Sequence, residues 1–371
     1  MGKTSLIHQT ALKLKEEFIC LNIDLEKSQS AADAVVELSM ATRPHLSLWG
    51  KTRDMFGNVL SHAAEHVEAL KLEDLSVSFR SGLNTANWQA KGDRLFAVLS
   101  ESDRPVVIFL DELPILVNRI LKGAAYTILP DGRKEADAFL SWLRANSILH
   151  AGRVRIVVAG SIGLEPLLRQ ASLNATLNTF TCFPLGPWTR EAALGCLRAL
   201  GNEYAIAYSP GAAEAVVDRL SYCVPHHVQM FFDNIYAECK ARKDQQVSKD
   251  LVDHVYEHAM LGVRGHAELS HMEERLKFVL GPEIYPLALE IITEAALSGS
   301  VDDKAAEVLA KGYNFETKSN EVLRFAFGIL EHDGYLRRDS DLYRFSSRLL
   351  KDWWSNRFSF GFIPVRERFS K

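Results

Sequence analysis

The sequence predicts an α/β domain built on a parallel sheet, followed by an all-helical region and a small domain of helices with a β-hairpin. Three observations carry this prediction. Apolar strands alternate with amphipathic helices up to about residue 187, which is the pattern of a parallel sheet with helical crossovers. The periodicity is then helical to residue 262, and an alternating hairpin follows three more helices near the C-terminus.

The chain opens with Gly2, Lys3, Thr4 and Ser5, and an amphipathic segment continues to residue 17. These residues match the second half of the phosphate-binding pattern GxxxxGK[ST], in which the helix N-terminus holds nucleotide phosphates. The lysine of this pattern reaches the β- and γ-phosphates, and the threonine hydroxyl binds Mg²⁺. The alternative is an ordinary helix start that Thr4 caps. Residues 18–23 are predicted to form the first strand of the chain.

A second strand ends in two adjacent acids. Residues 106–110 are apolar and rich in β-branched types, which predicts a strand buried on both faces. Ligands of open α/β sheets bind at the carboxyl ends of the strands. Asp111 is therefore the candidate Mg²⁺ ligand, and Glu112 is the candidate base that orients and deprotonates the attacking water. The alternative is a charged turn that closes a buried strand.

A third apolar strand, residues 154–159, is followed by Gly160 and Ser161. A small polar residue at this place can reach the γ-phosphate or the attacking water, so Ser161 is a candidate sensor. Ser161 can also cap the next helix, and the two roles are compatible. Residues 178–183 alternate in polarity and are predicted to form a further short strand.

The strand that leads into the phosphate loop is expected before Met1. In this type of fold that strand lies in the middle of the sheet, and its absence would leave backbone N–H and C=O groups unpaired. We therefore expect Met1 to be an internal methionine and the coding sequence to begin further upstream.

Composition excludes several classes of protein. Hydrophobic residues make up 47% of the chain, charged residues make up 24%, and the net charge is −4. No apolar stretch approaches the roughly 20 residues that span a bilayer, and no secretory signal is visible. The five cysteines lack CxxC spacing, which argues against a disulfide framework or a zinc site. A cytoplasmic protein without membrane contact is predicted.

Three domains are predicted: residues 1–187 with a helical insert at about 44–92, a helical lid at 188–262, and a third domain at 263–371. The lid helices are predicted at 189–200, 211–221, 225–241 and 248–261. A linker near 262–270 is expected next, followed by helices at 284–297, 304–312 and 319–332. The hairpin follows, and Trp353 and Trp354 are predicted to pack in a core or between domains rather than to stack on bases. Three helices with a hairpin make a winged helix.

With these segments in view, the chain resembles the prokaryotic, mainly archaeal-type P-loop ATPases related to AAA+ proteins and to the signal-transduction ATPases with numerous domains (STAND). The resemblance covers nearly the whole chain, although the insert matches loosely. It rests on GKTSL, FLDELP, VVAGSIGL, a Pro-x-x-x-Gln stretch in the helical lid and the C-terminal winged helix.

The resemblance implies an ATP-binding protein with Mg²⁺ that acts as a nucleotide-driven conformational switch and hydrolyses ATP. It assigns Lys3 and Thr4 to phosphate and Mg²⁺, Asp111 to Mg²⁺, Glu112 to water activation and Ser161 to γ-phosphate sensing. It makes Pro225 the lid proline that packs against the nucleotide. Cys223 stands where the family usually has glycine. The preference for ATP over GTP rests on this resemblance, and an unidentified protein partner and a homo-oligomer are further expectations.

Two competing functions stay open. In the first, the protein is an ATP-dependent DNA-binding initiator or regulator, with Arg337, Arg338 and Arg344 of the hairpin on phosphates. Residues 263–371 hold 16 basic and 17 acidic residues, whereas residues 334–371 hold nine basic and four acidic residues, so only the hairpin and tail are basic. In the second, the nucleotide site is broken and the chain is a non-enzymatic interaction scaffold.

Overall fold

The structure is a computed structural model that describes residues 2–56, 79, 80, 82–123, 127–315 and 319–368. The chain divides into two compact units: one is Lys3–Cys182, and the other is Phe183–Lys371 together with Gly2. Within the described residues, no helix combines the length and apolar character needed to cross a membrane. Part of the predicted insert, residues 57–78 and 81, lies outside the described residues.

The first unit is built on a parallel sheet with the order β1-β2-β3. The strands are β1 (Ile19–Asp24), β2 (Val106–Asp111) and β3 (Val154–Val158). The helices are α1 (Lys3–Leu14), α2 (Ala31–Met40), α3 (Leu46–Met55), α4 (Trp88–Ser100), α5 (Leu113–Lys122), α6 (Pro130–Leu149) and α7 (Leu164–Gln170). The predicted α/β architecture with a parallel sheet is confirmed.

Strand β2 is buried along its length because helices cover both faces of the sheet. On one face, Ile7 and Ala11 of α1 pack against Val107 and Phe109. On the other face, residues of α2, α4, α5 and α6 form one large apolar cluster with the alternate residues of the strands. A central strand with two covered faces has no polar face, which explains the unbroken apolar run before Asp111.

The predicted strand at 178–183 is wrong. All six residues are described, and none of them belongs to a strand. Phe183 is 76% exposed, so no sheet covers its ring. Alternating polarity reports which side chains a sheet would bury, whereas a strand also needs a neighbour for its N–H and C=O groups. The sequence pattern carries no information about that neighbour.

The second unit begins with four of the predicted helices, which are α8 (Arg190–Glu203), α9 (Ala212–Leu220), α10 (Pro225–Arg242) and α11 (Lys249–Val255). Thr189 and Ser248 cap α8 and α11 by accepting N–H groups of the first turn. Two short parallel strands, β4 (Ala207–Tyr208) and β5 (Gln246–Val247), pair between these helices. One turn of π-helix, Tyr256–Met260, continues α11.

The linker predicted near 262–270 is also wrong, because residues 263–270 lie in helix α12 (Val263–Ser298). Its apolar residues Leu269, Leu276 and Val279 are buried, and this burial holds the segment in a helix. Gly281 has φ 70° and ψ 174°, so two helices meet at this residue. Pro282 is the first residue of the second helix. Proline is tolerated there because the N–H of a first helical residue makes no hydrogen bond within the helix.

The remaining elements are short. They are β6 (Val301–Asp302), α13 (Asp303–Ala310), α14 (Ser319–His332), β7 (Leu336–Asp339), β8 (Leu342–Phe345), α15 (Arg348–Phe358) and α16 (Val365–Arg368). The strands form an antiparallel sheet in the order β6-β8-β7, which confirms the predicted hairpin. Trp353 and Trp354 are 2% and 1% exposed, so the predicted core packing of this pair is confirmed.

Candidate functional site

The polar residues singled out in the sequence meet at the carboxyl edge of the parallel sheet. Asp24 at the end of β1 is in register with Asp111 at the end of β2. Paired residues of neighbouring parallel strands point to the same face, so the two carboxylates lie side by side. Ser161 follows β3, the other neighbour of β2. Three strands thus deliver acids and a hydroxyl to one edge, which is where open α/β sheets bind ligands.

Thr4 and Asp111 are joined directly, although 107 residues separate them in the chain. The Thr4 hydroxyl donates to Asp111 Oδ2 over 2.6 Å. The backbone N–H of Glu112 donates to Asp111 Oδ1 over 3.1 Å, which fixes the plane of the carboxylate. The start of α1 and the end of β2 therefore form one polar site.

These oxygens fit a small divalent cation. Mg²⁺ prefers oxygen ligands and is usually held by one or two carboxylates together with phosphates and water. Thr4 Oγ1 and the Asp111 carboxylate are such ligands, and a cation between them would replace their hydrogen bond. Among the described residues, no three His, Cys, Asp or Glu side chains are grouped as a protein-only metal site. The residues present thus suit Mg²⁺ bound with a phosphate, which supplies the remaining charge.

The N-terminus of α1 lies at the same edge as Asp111, to which the Thr4 hydroxyl donates. Lys3 is the first residue of this helix, and Thr4 and Ser5 occupy its first turn. Gly2 has φ 77°, a left-handed backbone conformation that glycine adopts without strain. Backbone N–H groups and the helix dipole favour a bound anion at the N-terminus of a helix.

Ser161 contacts Glu112 and closes the other side of the site. Its backbone N–H donates to Glu112 Oε2 over 2.9 Å, and its hydroxyl donates to the same oxygen over 2.8 Å. Both side chains belong to half-buried residues. The structure brings Ser161 to the acid that was expected to activate water, a contact that the sequence did not indicate.

Gly160 makes this contact possible. A Cβ atom added to Gly160 would lie 2.4 Å from Cδ of Pro114, closer than carbon atoms approach each other. The loop after β3 can therefore pass over the start of α5 only because residue 160 has no side chain. This close approach brings the next residue, Ser161, within hydrogen-bond distance of Glu112.

Two residues of the site were not assigned any role from the sequence. Asp24 is exposed beside Asp111, and its Oδ1 accepts the N–H of Glu26 over 2.8 Å. Arg119 of α5 donates from Nη1 to the carbonyl oxygens of Glu26 and Ser28, the latter over 3.1 Å. Arg119 thus holds the loop that follows Asp24. The sequence could have indicated Asp24, because it is an acid at the end of a predicted strand that neighbours β2. No local sequence pattern indicates Arg119.

Pro225 belongs to the second unit, where it is the first residue of α10. Cys223, two residues earlier, is buried, and its carbonyl oxygen accepts the N–H of Trp188 over 2.9 Å. Burial raises the pKa of the Cys223 thiol. The place of this segment next to a nucleotide remains a prediction, because the acids and Thr4 lie in the first unit.

The fold is similar to that of a solved Walker-type ATPase. A Walker-type ATPase of Pyrococcus abyssi is similar to this chain with a TM-score of 0.52 and 13% identity, over 94% of this chain and 88% of that chain. At this identity the similarity establishes the fold alone. No protein-family model and no curated protein sequence matches the chain.

Two further solved structures are more distant. The ORC1 protein of Aeropyrum pernix in complex with DNA has a TM-score of 0.39 and 12% identity, over 96% of this chain and 84% of that chain. The Holliday junction branch migration motor RuvB of Thermotoga maritima has a TM-score of 0.35 and 12% identity, over 93% of this chain and 90% of that chain. Scores this low support no conclusion about the present chain.

Proposed function

We propose that this protein is an AAA+-like, Mg²⁺-dependent ATPase that acts as a nucleotide-driven conformational switch. The observation that carries the proposal is the hydrogen bond of 2.6 Å between Thr4 and Asp111. It joins the residue that follows the phosphate-loop lysine to the acid at the end of the neighbouring buried strand. P-loop ATPases hold Mg²⁺ with these two types of residue.

In the proposed reaction, Lys3 and the N-terminal amides of α1 bind the β- and γ-phosphates. Thr4 and Asp111 would hold Mg²⁺, which supplies positive charge to the phosphates when it is bound. Glu112 orients the attacking water and accepts its proton. Asp24 adds a further negative charge at the same edge, next to Asp111.

The proposed output of the switch is the second unit, whose lid helices and C-terminal elements are linked by polar contacts. Tyr256 in the π-helical turn donates to Asp352 of α15 over 2.8 Å. The guanidinium of Arg219 from α9 lies 5.2 Å from the centre of the Tyr256 ring and pairs with Asp253 over 2.7 Å. A change in lid position would therefore be passed to α15 by direct contact.

The remaining roles follow the resemblance. Pro225 is proposed to pack against the nucleotide from the lid, so that ATP and ADP favour different lid positions. Residues 188–262 are proposed as the lid and residues 263–371 as a winged-helix domain. Cytoplasmic location, a protein partner that reads the switch and self-association are further predictions.

Replacing Lys3 with alanine tests the proposed function. We expect Lys3→Ala to lower Mg²⁺-dependent ATP turnover by roughly a hundredfold, because the charge that stabilises the transferred phosphate is lost. Phosphate release and binding of a fluorescent ATP analogue measure the effect. Lys13→Ala removes the same charge from an exposed position in the last turn of α1 and is the matched control.

Equal turnover in Lys3→Ala and in the unaltered chain would contradict the proposal. A folded chain that binds no nucleotide would instead favour the non-enzymatic scaffold.

A second candidate function, DNA binding through the C-terminal hairpin, rests on Arg337. Arg337 is exposed on β7, whereas Arg338 donates to the carbonyl of Ser340 and Arg344 pairs with Asp339 at 3.5 Å. The exposed residues of α14 include Arg324 and two acids, Glu321 and Glu331. Contacts with backbone phosphates are therefore better supported than base readout in a groove.

Duplex binding by the double variant Arg337→Ala, Arg338→Ala tests this second candidate. We expect weaker binding and a salt dependence reduced by about one in log–log slope, because the loss of one phosphate contact, that of Arg337, removes about 0.9. Fluorescence anisotropy at several salt concentrations measures both quantities. Arg198→Ala, which removes an exposed charge from α8, is the control. No duplex binding by the unaltered chain would reject this function.

A further inference from the structure

The second unit contains a cavity of about 410 Å³ that the proposed ATPase reaction does not use. It lies where the last turns of α8 and α10 lead into β4 and β5. Small-molecule sites in proteins typically have volumes of about 300–1,000 Å³. Among the described residues that line the cavity, none has a role in the proposed nucleotide site. The cavity is therefore large enough for a second, small ligand.

The inner lining of the cavity is apolar and aromatic. Ile206 and Cys239 are buried. Tyr204 is 45% exposed, and its ring centre lies 5.0 Å from that of Tyr236 in an edge-to-face arrangement. The Tyr204 ring also packs against the buried ring of Phe232, at 5.6 Å between the ring centres. A partly exposed tyrosine ring that is held in this way offers a surface on which a flat aromatic ring can pack.

Two lysines line the mouth of the cavity. Lys240 Nζ lies 4.4 Å from the centre of the Tyr236 ring, and Lys243 is exposed at the end of α10. Within the part of the chain that the structure describes, neither ammonium group forms a salt bridge. Each of these groups is therefore available to an anion at the cavity mouth.

The acids near the mouth have other partners. Asp244 lines the cavity, and its Oδ1 accepts the N–H of Gln246 over 2.9 Å, just where β5 begins. Glu238 accepts a hydrogen bond from Nε of Arg242 over 2.7 Å. The lining itself holds two lysines and one acid, so its net charge is positive.

The lysines are not needed to complete the helix ends. Lysine side chains near a helix C-terminus can bind the last carbonyl oxygens. Here the backbone serves these oxygens: the N–H of Ile206 donates to the carbonyl of Gly201 over 2.8 Å, and the N–H of Asp244 donates to that of Cys239 over 3.1 Å. The ammonium groups can therefore bind a ligand without loss of a helix cap.

We propose that this cavity binds a small ligand that consists of a flat aromatic ring and an anionic group, such as a nucleoside monophosphate or an aryl phosphate. The ring packs on Tyr204 and covers Ile206 and Cys239. The anion accepts charge-assisted hydrogen bonds from Lys240 and Lys243. The inference is independent of the proposed ATPase function, because it uses none of the residues of the nucleotide site.

Binding of 4-fluorophenyl phosphate tests this proposal, because the probe carries the ring, the anion and a fluorine nucleus for NMR. We expect a dissociation constant of about 1 mM, the strength typical of a ligand with about a dozen heavy atoms. Inorganic phosphate lacks the ring and 4-fluorobenzyl alcohol lacks the charge. Each should bind about tenfold more weakly than the probe.

Two pairs of variants locate the ligand. Lys243→Glu reverses a charge at the mouth and should lower the affinity for the probe by about 10- to 100-fold. Lys311→Glu makes the same change at an exposed position after α13 and should leave the affinity unchanged. Tyr204→Leu removes the ring and should lower the affinity by about three- to tenfold, whereas Tyr204→Phe keeps the ring and should retain it. If Tyr204→Leu does not fold, Lys243→Glu decides.

Lys3→Ala separates this cavity from the proposed nucleotide site. The probe should bind Lys3→Ala as it binds the unaltered chain. Affinity that is lost in Lys3→Ala and kept in Lys243→Glu overturns the proposal, because the probe then occupies the nucleotide site. Equal affinity for inorganic phosphate and for the probe also overturns it, since the aromatic lining then contributes nothing. Loss of the ATPase function would leave the proposal standing.

Uridine 5′-monophosphate distinguishes the two sources of such a ligand. Displacement of the probe by this nucleotide at a similar concentration supports a nucleotide as the occupant. Displacement by phenyl phosphate alone supports an aryl phosphate. Failure of phenyl phosphate and of the nucleotide to displace the probe contradicts the proposal, because both carry the ring and the anion.

Discussion

Replacing Glu112 with glutamine is expected to lower ATP turnover by about 100- to 10,000-fold, the range contributed by a positioned general base. Glutamine has nearly the same size and can still accept hydrogen bonds from Ser161, but it cannot take a proton from water at neutral pH. Nucleotide affinity should change little, because Lys3, Thr4 and Asp111 remain. Phosphate release and calorimetric ATP binding measure the two quantities.

Glu165→Gln is the matched control for this prediction. Glu165 lies in the first turn of α7, and its side chain is exposed and paired with Arg169 over 2.5 Å. It follows Ser161 closely in the chain, and its carboxylate pairs with Arg169 rather than with the acids of the site. Turnover of Glu112→Gln within about threefold of the unaltered chain would remove Glu112 from the role of base, since such a change is far below the range of general base catalysis.

The second large effect is expected in the C-terminal elements. Trp354→Ala should lower the free energy of unfolding by about 3–5 kcal/mol, because it removes a buried indole and leaves a cavity. Trp354 is 1% exposed, and its ring centre lies 5.5 Å from that of Trp353 and 4.9 Å from that of Phe358. Urea unfolding followed by circular dichroism measures the loss.

Trp354→Phe is the control, because phenylalanine keeps an aromatic ring in the same place. Within the described residues, the indole N–H of Trp354 has no hydrogen-bond partner, so the loss of this group removes no bond. We expect the cost of Trp354→Phe to be clearly smaller than that of Trp354→Ala. If Trp354→Ala kept full stability and lost nucleic-acid binding, the tryptophan would be a base-stacking residue instead.

The elements that the sequence predicted correctly are those whose local pattern also reflects their environment. The run before Asp111 is apolar at every position, and the structure buries it on both faces of the sheet. The hairpin around Ser340 alternates in polarity, and its strands pair with each other across a short turn. In both segments, neighbours along the chain provide most of the information.

The elements that failed depend on partners far along the chain. Residues 178–183 have the composition of a strand, but a strand exists only beside another strand that accepts its hydrogen bonds. Residues 262–270 contain few apolar residues and suggested a linker, yet burial of Leu269 and of later residues holds them in α12. Sequence windows of this length do not report such distant packing.

The sequence by itself determined which chemical groups the site contains: a lysine and threonine at a helix start, two acids after a buried strand, and a serine after the next strand. Tertiary structure alone decided how they are combined. It joined Thr4 to Asp111 across 107 residues and gave the Ser161 hydroxyl to Glu112. The physical reason is that hydrogen bonds form over about 3 Å, and only the packing of strands and helices sets distances of that size between remote residues.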